Sequence, residues 1–328
     1  MKIIVTGGAG YIGSHVCKRL AADGFEPVTY DNLSRGNAWA VKWGPLERGD
    51  LADGGRLREA IARHRPAAVM HFAAYAYVGE SCAQPMLYYA NNVGGSQVLL
   101  AAAAEAGPLP VVFSSTCATY GAPLDLPIEE NHPQAPVNPY GFTKLVVEHM
   151  LRDLDTASGM RSVALRYFNA AGADPDGEIG EAHEPETHLI PLALAAARDG
   201  GVLDVFGTDY ETTDGTCVRD YVHVMDIADA HVRALKYLLD GKPSGAFNLA
   251  NAQGYSVRQV IDLAQAVTGR TIRLNAAARR PGDPPILIGD ASRARDVLGW
   301  RPARSDLREQ IADAWRWMSK SPKRTASP

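Results

Sequence analysis

Short apolar runs alternate with longer amphipathic stretches through the first half of the chain. Residues 2–5, 27–30, 46–50, 67–72, 110–115 and 162–167 read as strands. Between them, helical periodicity follows the first glycine-rich turn to about Gly24, then covers 57–64, 85–106, and a segment from Tyr140 to about Ala157. Strands alternating with helices argue for an α/β fold built on a doubly wound parallel sheet. Ligands of such sheets sit beyond the carboxyl ends of the strands, where Asp31, Asp50, Phe72, Thr116 and Asn169 all fall.

The alternation breaks after Asn169. Residues 170–188 are rich in Gly, Pro and Glu and read as loop. Helices are expected at 190–198, 226–239, 257–267, 291–298 and 307–318, and strands at 202–206, 222–224 and 247–249. The pattern predicts a first unit over 1–170, completed by elements within about 215–250, and a smaller mixed α/β unit over 171–320. Residues 321–328 are basic and Ser/Pro-rich and are expected to form a disordered tail.

The first strand leads into Gly7-Gly8-Ala9-Gly10-Tyr11-Ile12-Gly13 and then a helix. Glycines spaced G-x-x-G-x-x-G permit a tight strand-to-helix turn and let backbone amides approach a pyrophosphate. The helix N-terminus adds N–H groups and the positive end of its dipole. This is the signature of a Rossmann-like dinucleotide site. The second strand ends in Asp31-Asn32, where an acid accepts hydrogen bonds from the adenosine ribose and repels a 2′-phosphate. NAD is therefore favoured over NADP, with Arg35 the one nearby group able to accommodate the phosphate. Asp50-Leu51, at the third strand's end, are placed to read an adenine edge.

Tyr140 and Lys144, four residues apart, share one helix face, so the ammonium can lower the pKa of the phenol and make it a usable base. Composition changes little in this picture. The chain has 328 residues, 46% apolar and 21% charged, with 33 basic and 37 acidic side chains giving a net charge of −4. That balance offers no broad reason to bind nucleic acid or an anionic membrane. No apolar run reaches the roughly 18 residues of a membrane span, and the N-terminus has no signal-peptide layout. Cys17, Cys82, Cys117 and Cys217 have no C-x-x-C spacing and read as reduced thiols of a cytoplasmic protein. His183-Glu184-x-Glu186-x-His188 matches no helical ligand motif, so no metal is expected.

TGGAGYIGSH at 6–15, SST at 114–116 and Y-x-x-x-K at Tyr140/Lys144 resemble the extended short-chain dehydrogenase/reductase family. RYFNAAGADPDGEIGE at 166–181, FGTDYETTDGTCVRDYVHV at 206–224 and HFAAYAYVGES at 71–81 are similar to the UDP-glucose (UDP-galactose) 4-epimerases, and the resemblance runs from Met1 to about Trp317. It implies a bound NAD that is reduced and reoxidised in each turnover, a 4-keto sugar intermediate, and a homodimer. Tyr140 would be the base at the sugar 4-hydroxyl, Lys144 would lower its pKa and hold the nicotinamide ribose, and Thr116 would bond the 4-oxygen. Cofactor contacts are implied at Gly7, Gly10, Tyr11, Ile12, Gly13, Asp31, Asn32, Ser34, Gly36, Asp50, Leu51, Asn91 and Ser114. Cofactor contacts are also implied at Ala73 and Ala74, and Phe72, Tyr167 and Phe168 would lie near the nicotinamide. For the UDP-sugar, Arg219, Arg280 and Asn169 would hold the diphosphate, Phe206 with Leu189 would border the uracil, His188 would also contact the substrate, and Asp283 would hold the uridine ribose. Leu287 would gate the sugar pocket and favour plain hexoses over N-acetylated ones.

Two departures narrow or qualify that implication. Ala76 stands where some epimerases carry a cofactor-contacting Lys. Cys117-Ala118 follow Thr116 where the related 4,6-dehydratases carry Asp-Glu, so elimination of water lacks its acid and base. UDP-xylose/UDP-arabinose 4-epimerases remain an alternative, because DNLSRGN at 31–37 and SSTCATYG at 114–121 resemble them too. A catalytically silent NAD-sensing protein of the same fold is the second alternative.

Overall fold

The computed structural model describes residues 1–280 and 282–320; the tail expected at 321–328 lies outside them. The chain begins β1 (Lys2–Thr6), α1 (Tyr11–Ala22), β2 (Glu26–Asp31), β3 (Leu46–Arg48), α2 (Gly54–His64), β4 (Ala68–His71), α3 (Val78–Ala83), α4 (Pro85–Tyr88) and α5 (Gly95–Glu105). It continues β5 (Val111–Thr116), α6 (Pro139–Ser158), β6 (Ser162–Tyr167), β7 (Asn169–Ala171), α7 (Leu189–Asp199), β8 (Val202–Phe206), β9 (Val218–His223) and α8 (Val224–Leu239). The remainder is β10 (Gly245–Leu249), β11 (Gly254–Ser256), α9 (Val257–Thr268), β12 (Arg273–Ala277), β13 (Ile286–Leu287), α10 (Ser292–Leu298) and α11 (Leu307–Lys320).

Seven strands form one parallel sheet in the order β10-β6-β5-β4-β1-β2-β3. The strand interiors are largely apolar because both faces are covered, with Thr29, Ser114, Ser115 and Arg166 as buried polar exceptions. Ile3, Val5, Ala68, Met70 and Val112 pack with Val16, Leu20, Ile227 and Leu235 of α1 and α8. Ile4, Val69, Val111 and Phe113, on the opposite face, pack with Leu57, Leu99, Val147 and Leu151 of α2, α5 and α6. The strand order reverses between β1 and β4, which opens the crevice where such sheets bind ligands.

A second, smaller assembly closes over the carboxyl ends. There β9 pairs with β7 and β13 in parallel and with β11 antiparallel, while β8 and β12 form a separate two-stranded sheet. Ile190, Leu194, Val260, Ile261, Leu307 and Ile311 make its core on α7, α9 and α11, with Trp315 packed against it. Between these elements the chain returns to the large sheet as α8 and β10.

One expected helix is broken. Residues 85–106 form α4, a wide π turn at Tyr89–Gly94, and then α5. Asn92 explains the interruption: its Oδ1 accepts the Tyr75 N–H at 2.8 Å, and its Nδ2 donates to the Tyr75 carbonyl at 3.0 Å and to Thr143 Oγ1 at 3.1 Å. Those bonds tie the segment after β4 to α6, a frequent use of a π turn at functional sites.

Candidate active site

At the end of β1 the chain turns so tightly that only glycine fits at two positions. Gly7 has φ +73°, and a Cβ there would lie 2.6 Å from the Ala73 nitrogen. A Cβ on Gly13 would lie 2.2 Å from the Gly7 carbonyl oxygen. Gly10, the N-cap of α1, offers no side-chain acceptor to the first N–H groups of the helix, over Tyr11, Ile12 and Gly13. Those groups have no intrahelical partner and face an anion by default.

The nucleoside end is equally specific. Asp31 is buried, and its Oδ2 accepts the Ala9 N–H at 3.1 Å while Oδ1 accepts the Leu33 N–H at 2.8 Å. Burial raises its pKa and the two N–H groups oppose that shift. Each oxygen keeps a lone pair for a ribose hydroxyl. Gly36 is pressed to within 2.9 Å of Oδ1 at its would-be Cβ. Asn32 donates to Asp50 at 2.7 Å and accepts the Ser34 N–H at 2.9 Å, which joins the ends of β2 and β3. Leu51 is buried beside Gly95. Arg35 is engaged elsewhere: it donates to Glu80 at 2.7 Å and lies 5.2 Å over the rings of Tyr75 and Tyr77. Arg35, the nearby cation that could take a 2′-phosphate, is thus already paired. These residues fit NAD.

The catalytic candidates meet where β5 ends and α6 begins. Pro139 opens α6 with its preset φ, and the Asn138 Oδ1 caps it by accepting the Gly141 N–H at 2.9 Å. Gly141 is pressed against the turn after Thr116, since a Cβ would stand 2.4 Å from the Ala118 oxygen. This close approach carries the neighbouring Tyr140 to Thr116. Burial is the largest influence on the Tyr140 phenol and pushes its pKa up; the nearby Tyr167 adds to this, and a hydrogen bond with Thr116 pulls it back. Thr116 Oγ1 also accepts the Ala118 N–H at 3.1 Å.

Lys144 follows one turn along α6. Its Nζ donates to the Ser114 carbonyl at 2.7 Å and lies 4.9 Å over the Phe113 ring. Burial lowers its own pKa to about 7, against the pull of Glu148. A charged Nζ has two further donors to offer.

Opposite this centre lies the second assembly. Arg219 Nη1 donates to the Val218 carbonyl at 2.8 Å, and Nη2 to Asp283 Oδ1 at 3.2 Å. Asn169 Nδ2 donates to the Asp220 carbonyl at 3.0 Å, and Leu287 stands beside Arg219 in register on β13. The Arg280 guanidinium sits 4.1 Å over the Phe206 ring. His188 caps α7 ahead of Leu189, with its Nδ1 2.8 Å from Glu181 and 3.0 Å from Glu186.

A glycine turn that opens a helix N-terminus, and a Thr-Tyr-Lys group buried where β5 ends and α6 begins, agree with what the chain matches. The model of the NAD dependent epimerase/dehydratase family matches residues 3–250. The chain belongs to that family. Among its relatives, the UDP-glucose 4-epimerase of Rhizobium meliloti (strain 1021) is 55% identical over 321 residues, 97% of either chain. The structure of UDP-glucose 4-epimerase from Brucella ovis in complex with NAD superposes with a TM-score of 0.92 at 52% identity, over 96% of this chain and 97% of that one. That of the Stenotrophomonas maltophila enzyme with bound NAD and formylated UDP-arabinopyranose gives 0.93 at 39%, over 97% and 98%.

Within this family member, the other expected site residues have partners inside the protein. Phe168 turns its ring away from Tyr167, into a cluster with Tyr120, Ile128 and Ala250, because neighbouring residues at a strand end point to opposite faces. Tyr167 instead bonds Ser114 Oγ at 2.6 Å, and Phe72 packs 4.7 Å from the His231 ring. Ala73 donates its N–H to Thr6 at 3.1 Å, Ala74 follows it half-buried, and Asn91 is tied to Asn92 at 2.9 Å. Burial raises the Cys117 thiol to about 12, which leaves it inert. Sequence reasoning missed Glu148, one turn beyond Lys144. It accepts from Arg166 at 2.6 Å, from Ser115 at 2.5 Å and from Gln134 at 3.1 Å, and so fastens α6 to β5 and β6. The Tyr140-Lys144-Glu148 spacing was the available signal.

Proposed function

We propose that this protein is an NAD-dependent UDP-sugar 4-epimerase that interconverts UDP-glucose and UDP-galactose. The observation that carries the reading is Tyr140 against Thr116, with Lys144 one turn along, above a glycine turn and an Asp31 suited to NAD. When bound, NAD supplies a hydride acceptor that gives the hydride back. Tyr140 takes the proton from the sugar 4-hydroxyl as C4 is oxidised and returns it after the 4-keto sugar has turned over. The Thr116 hydroxyl bonds the 4-oxygen and steadies its developing charge. Lys144 directs a remaining N–H to the nicotinamide ribose and its charge to the phenolate. Arg219, Arg280 and Asn169 grip the diphosphate, Phe206, Leu189 and His188 enclose the uridine, and Asp283 exchanges Arg219 for its ribose. Leu287, packed against the cluster of Tyr120, Ile128, Phe168 and Ala250, narrows the sugar pocket to plain hexoses. Cys117-Ala118 supply no acid or base, so C4 oxidation is reversed rather than followed by loss of water.

Incubation with UDP-galactose, followed by UDP-glucose dehydrogenase to read UDP-glucose, tests the assignment. Conversion that disappears in Tyr140→Phe supports it. Turnover of UDP-xylose with none of UDP-galactose would transfer the same mechanism to a pentose, the reading favoured by the pentose nucleotide bound to the Stenotrophomonas maltophila enzyme. We further assign residues 1–170 with 224–249 to the cofactor unit and the rest of 171–320 to the substrate unit. The four free cysteines suit the cytoplasm. A homodimer is supported by exposed Val78, Met86, Leu87 and Phe142 on α3, α4 and α6, which pack together into one surface; light scattering at the mass of two chains is expected.

A further inference from the structure

Among the described residues, two groups of metal-ligand side chains lie outside the reacting centre. In one, Asp174, Asp176 and Glu178 surround the Lys18 ammonium at 2.7–2.8 Å, so a cation of the protein's own already sits among them. The other is built differently. The loop before α7 folds so that Glu181, His183, Glu186 and His188 present one ligand atom each within 4.8 Å of one another. His183 Nδ1 is 3.0 Å from Glu181 Oε1 and 3.7 Å from Glu186 Oε2, and His188 Nδ1 is 2.8 Å from Glu181 Oε1 and 3.0 Å from Glu186 Oε1.

We propose that Glu181, His183, Glu186 and His188 form a closed, structural site for one divalent transition ion, with zinc the best fit. Four donors around zinc at about 2.0–2.1 Å stand about 3.3 Å apart along each tetrahedral edge. The three measured edges that run through Glu181 Oε1 and the inward Glu186 Oε2, at 2.8, 3.0 and 3.7 Å, straddle that value. The set of two imidazoles and two carboxylates is one zinc accepts, and its two negative charges cancel the ion's.

The orientation of the donors is the second reason. His183 Nδ1 is buried and stands between two carboxylates, 3.0 Å from Glu181 Oε1 and 3.7 Å from Glu186 Oε2. Both imidazoles also converge on the same Glu181 oxygen, where a pair of simple ion pairs would divide between the two. The outer groups are in place as well. Glu186 Oε1 accepts the N–H groups of Thr187 at 2.7 Å and His188 at 2.9 Å, which leaves Oε2 to face inward. Tyr11 and Tyr77 meet the His183 ring edge-on at 6.2 and 5.8 Å and shield it from water. All four coordination positions come from the protein, so the ion would fasten this loop to the glycine turn through Tyr11 and take no part in chemistry. Reasoning from helical spacing misses the site because its ligands lie on a loop.

Elemental analysis of tag-free holoenzyme, purified without chelator, tests this, with Cys82→Ser as background to remove the exposed thiol. One equivalent of zinc per chain is expected, lost in His183→Ala and in Glu186→Gln while both remain folded by circular dichroism. Added Zn²⁺ should raise the Tm of EDTA-treated protein and leave that of His183→Ala unmoved, and Co²⁺ in its place should show the visible bands of tetrahedral coordination. Substoichiometric metal together with a Tm indifferent to Zn²⁺ would overturn the proposal and leave a histidine–carboxylate ion-pair cluster. Metal retained equally by His183→Ala would place the ion elsewhere and refute it too.

Discussion

Replacing Lys144 with Met should make the fold more stable while it abolishes turnover. Burial holds the Lys144 ammonium from 10.5 down to about 7. A lysine whose folded pKa lies below its unfolded value weakens the fold while it is charged. That weakening is complete below about pH 7, shrinks as pH rises and vanishes above 10.5. The gap corresponds to about 5 kcal/mol at pH 6. Lys144→Met keeps the length of the chain but gives up the bond to the Ser114 carbonyl, which costs about 1–3 kcal/mol. The variant should therefore gain about 2–4 kcal/mol at pH 6, and its advantage should fall by about 3 kcal/mol at pH 9. Urea titrations of nucleotide-stripped wild type and variant at both pH values measure this, since bound NAD would stabilise the two unequally. A variant less stable than wild type at pH 6, or a difference that ignores pH, would refute the reasoning.

Tyr140→Phe removes only a hydroxyl and should lower kcat by about 10²–10⁴-fold with an unchanged Tm; near-normal turnover would exclude Tyr140 as the base. Gly13→Ala drives a Cβ to 2.2 Å from the Gly7 oxygen, backbone against backbone, and should release NAD and lower stability by about 1–3 kcal/mol, read by nucleotide content and melting. Arg219→Ala should raise KM for UDP-galactose about 10–100-fold, as a charge-assisted diphosphate contact is lost, and an unaltered UDP affinity by calorimetry would remove Arg219 from the site. Asp31→Asn should weaken NAD retention without closing the gap to NADP, because Arg35 stays paired with Glu80; NADP binding as tight as NAD would contradict that geometry.

The large sheet was legible because its signals are local. Each strand of the first unit is a short apolar run, and Tyr140 and Lys144 meet through one helical turn. Features that depend on partners distant in sequence were not. The π turn at 89–94 exists because Asn92 binds Tyr75 and Thr143, and no propensity of its own residues announces it. β12 is exposed along most of its length and pairs only with β8, so it lacks the alternation that marks a half-buried strand. Adjacency in sequence suggests a salt bridge between Arg219 and Asp220, but Asp220 is buried beneath the Asn251 and Ala252 N–H groups and Arg219 reaches Asp283 instead. The metal-ligand constellation follows from how the loop before α7 folds, which spacing alone does not specify.

The late return of the chain to the large sheet governs the order in which this protein can assemble on the ribosome. β6 gains its outer neighbour only when β10 pairs with it, and the 77 residues 168–244 lie between Tyr167 and Gly245. Until that stretch has been synthesised, β6 offers a row of unpaired backbone groups, the kind of edge on which nascent chains aggregate. α8, which covers α1 and the apolar face beside it, arrives in the same late segment. A stop codon placed just after Asp199 should therefore give an insoluble fragment, even though every residue of the glycine turn and the Thr116, Tyr140 and Lys144 centre is already present.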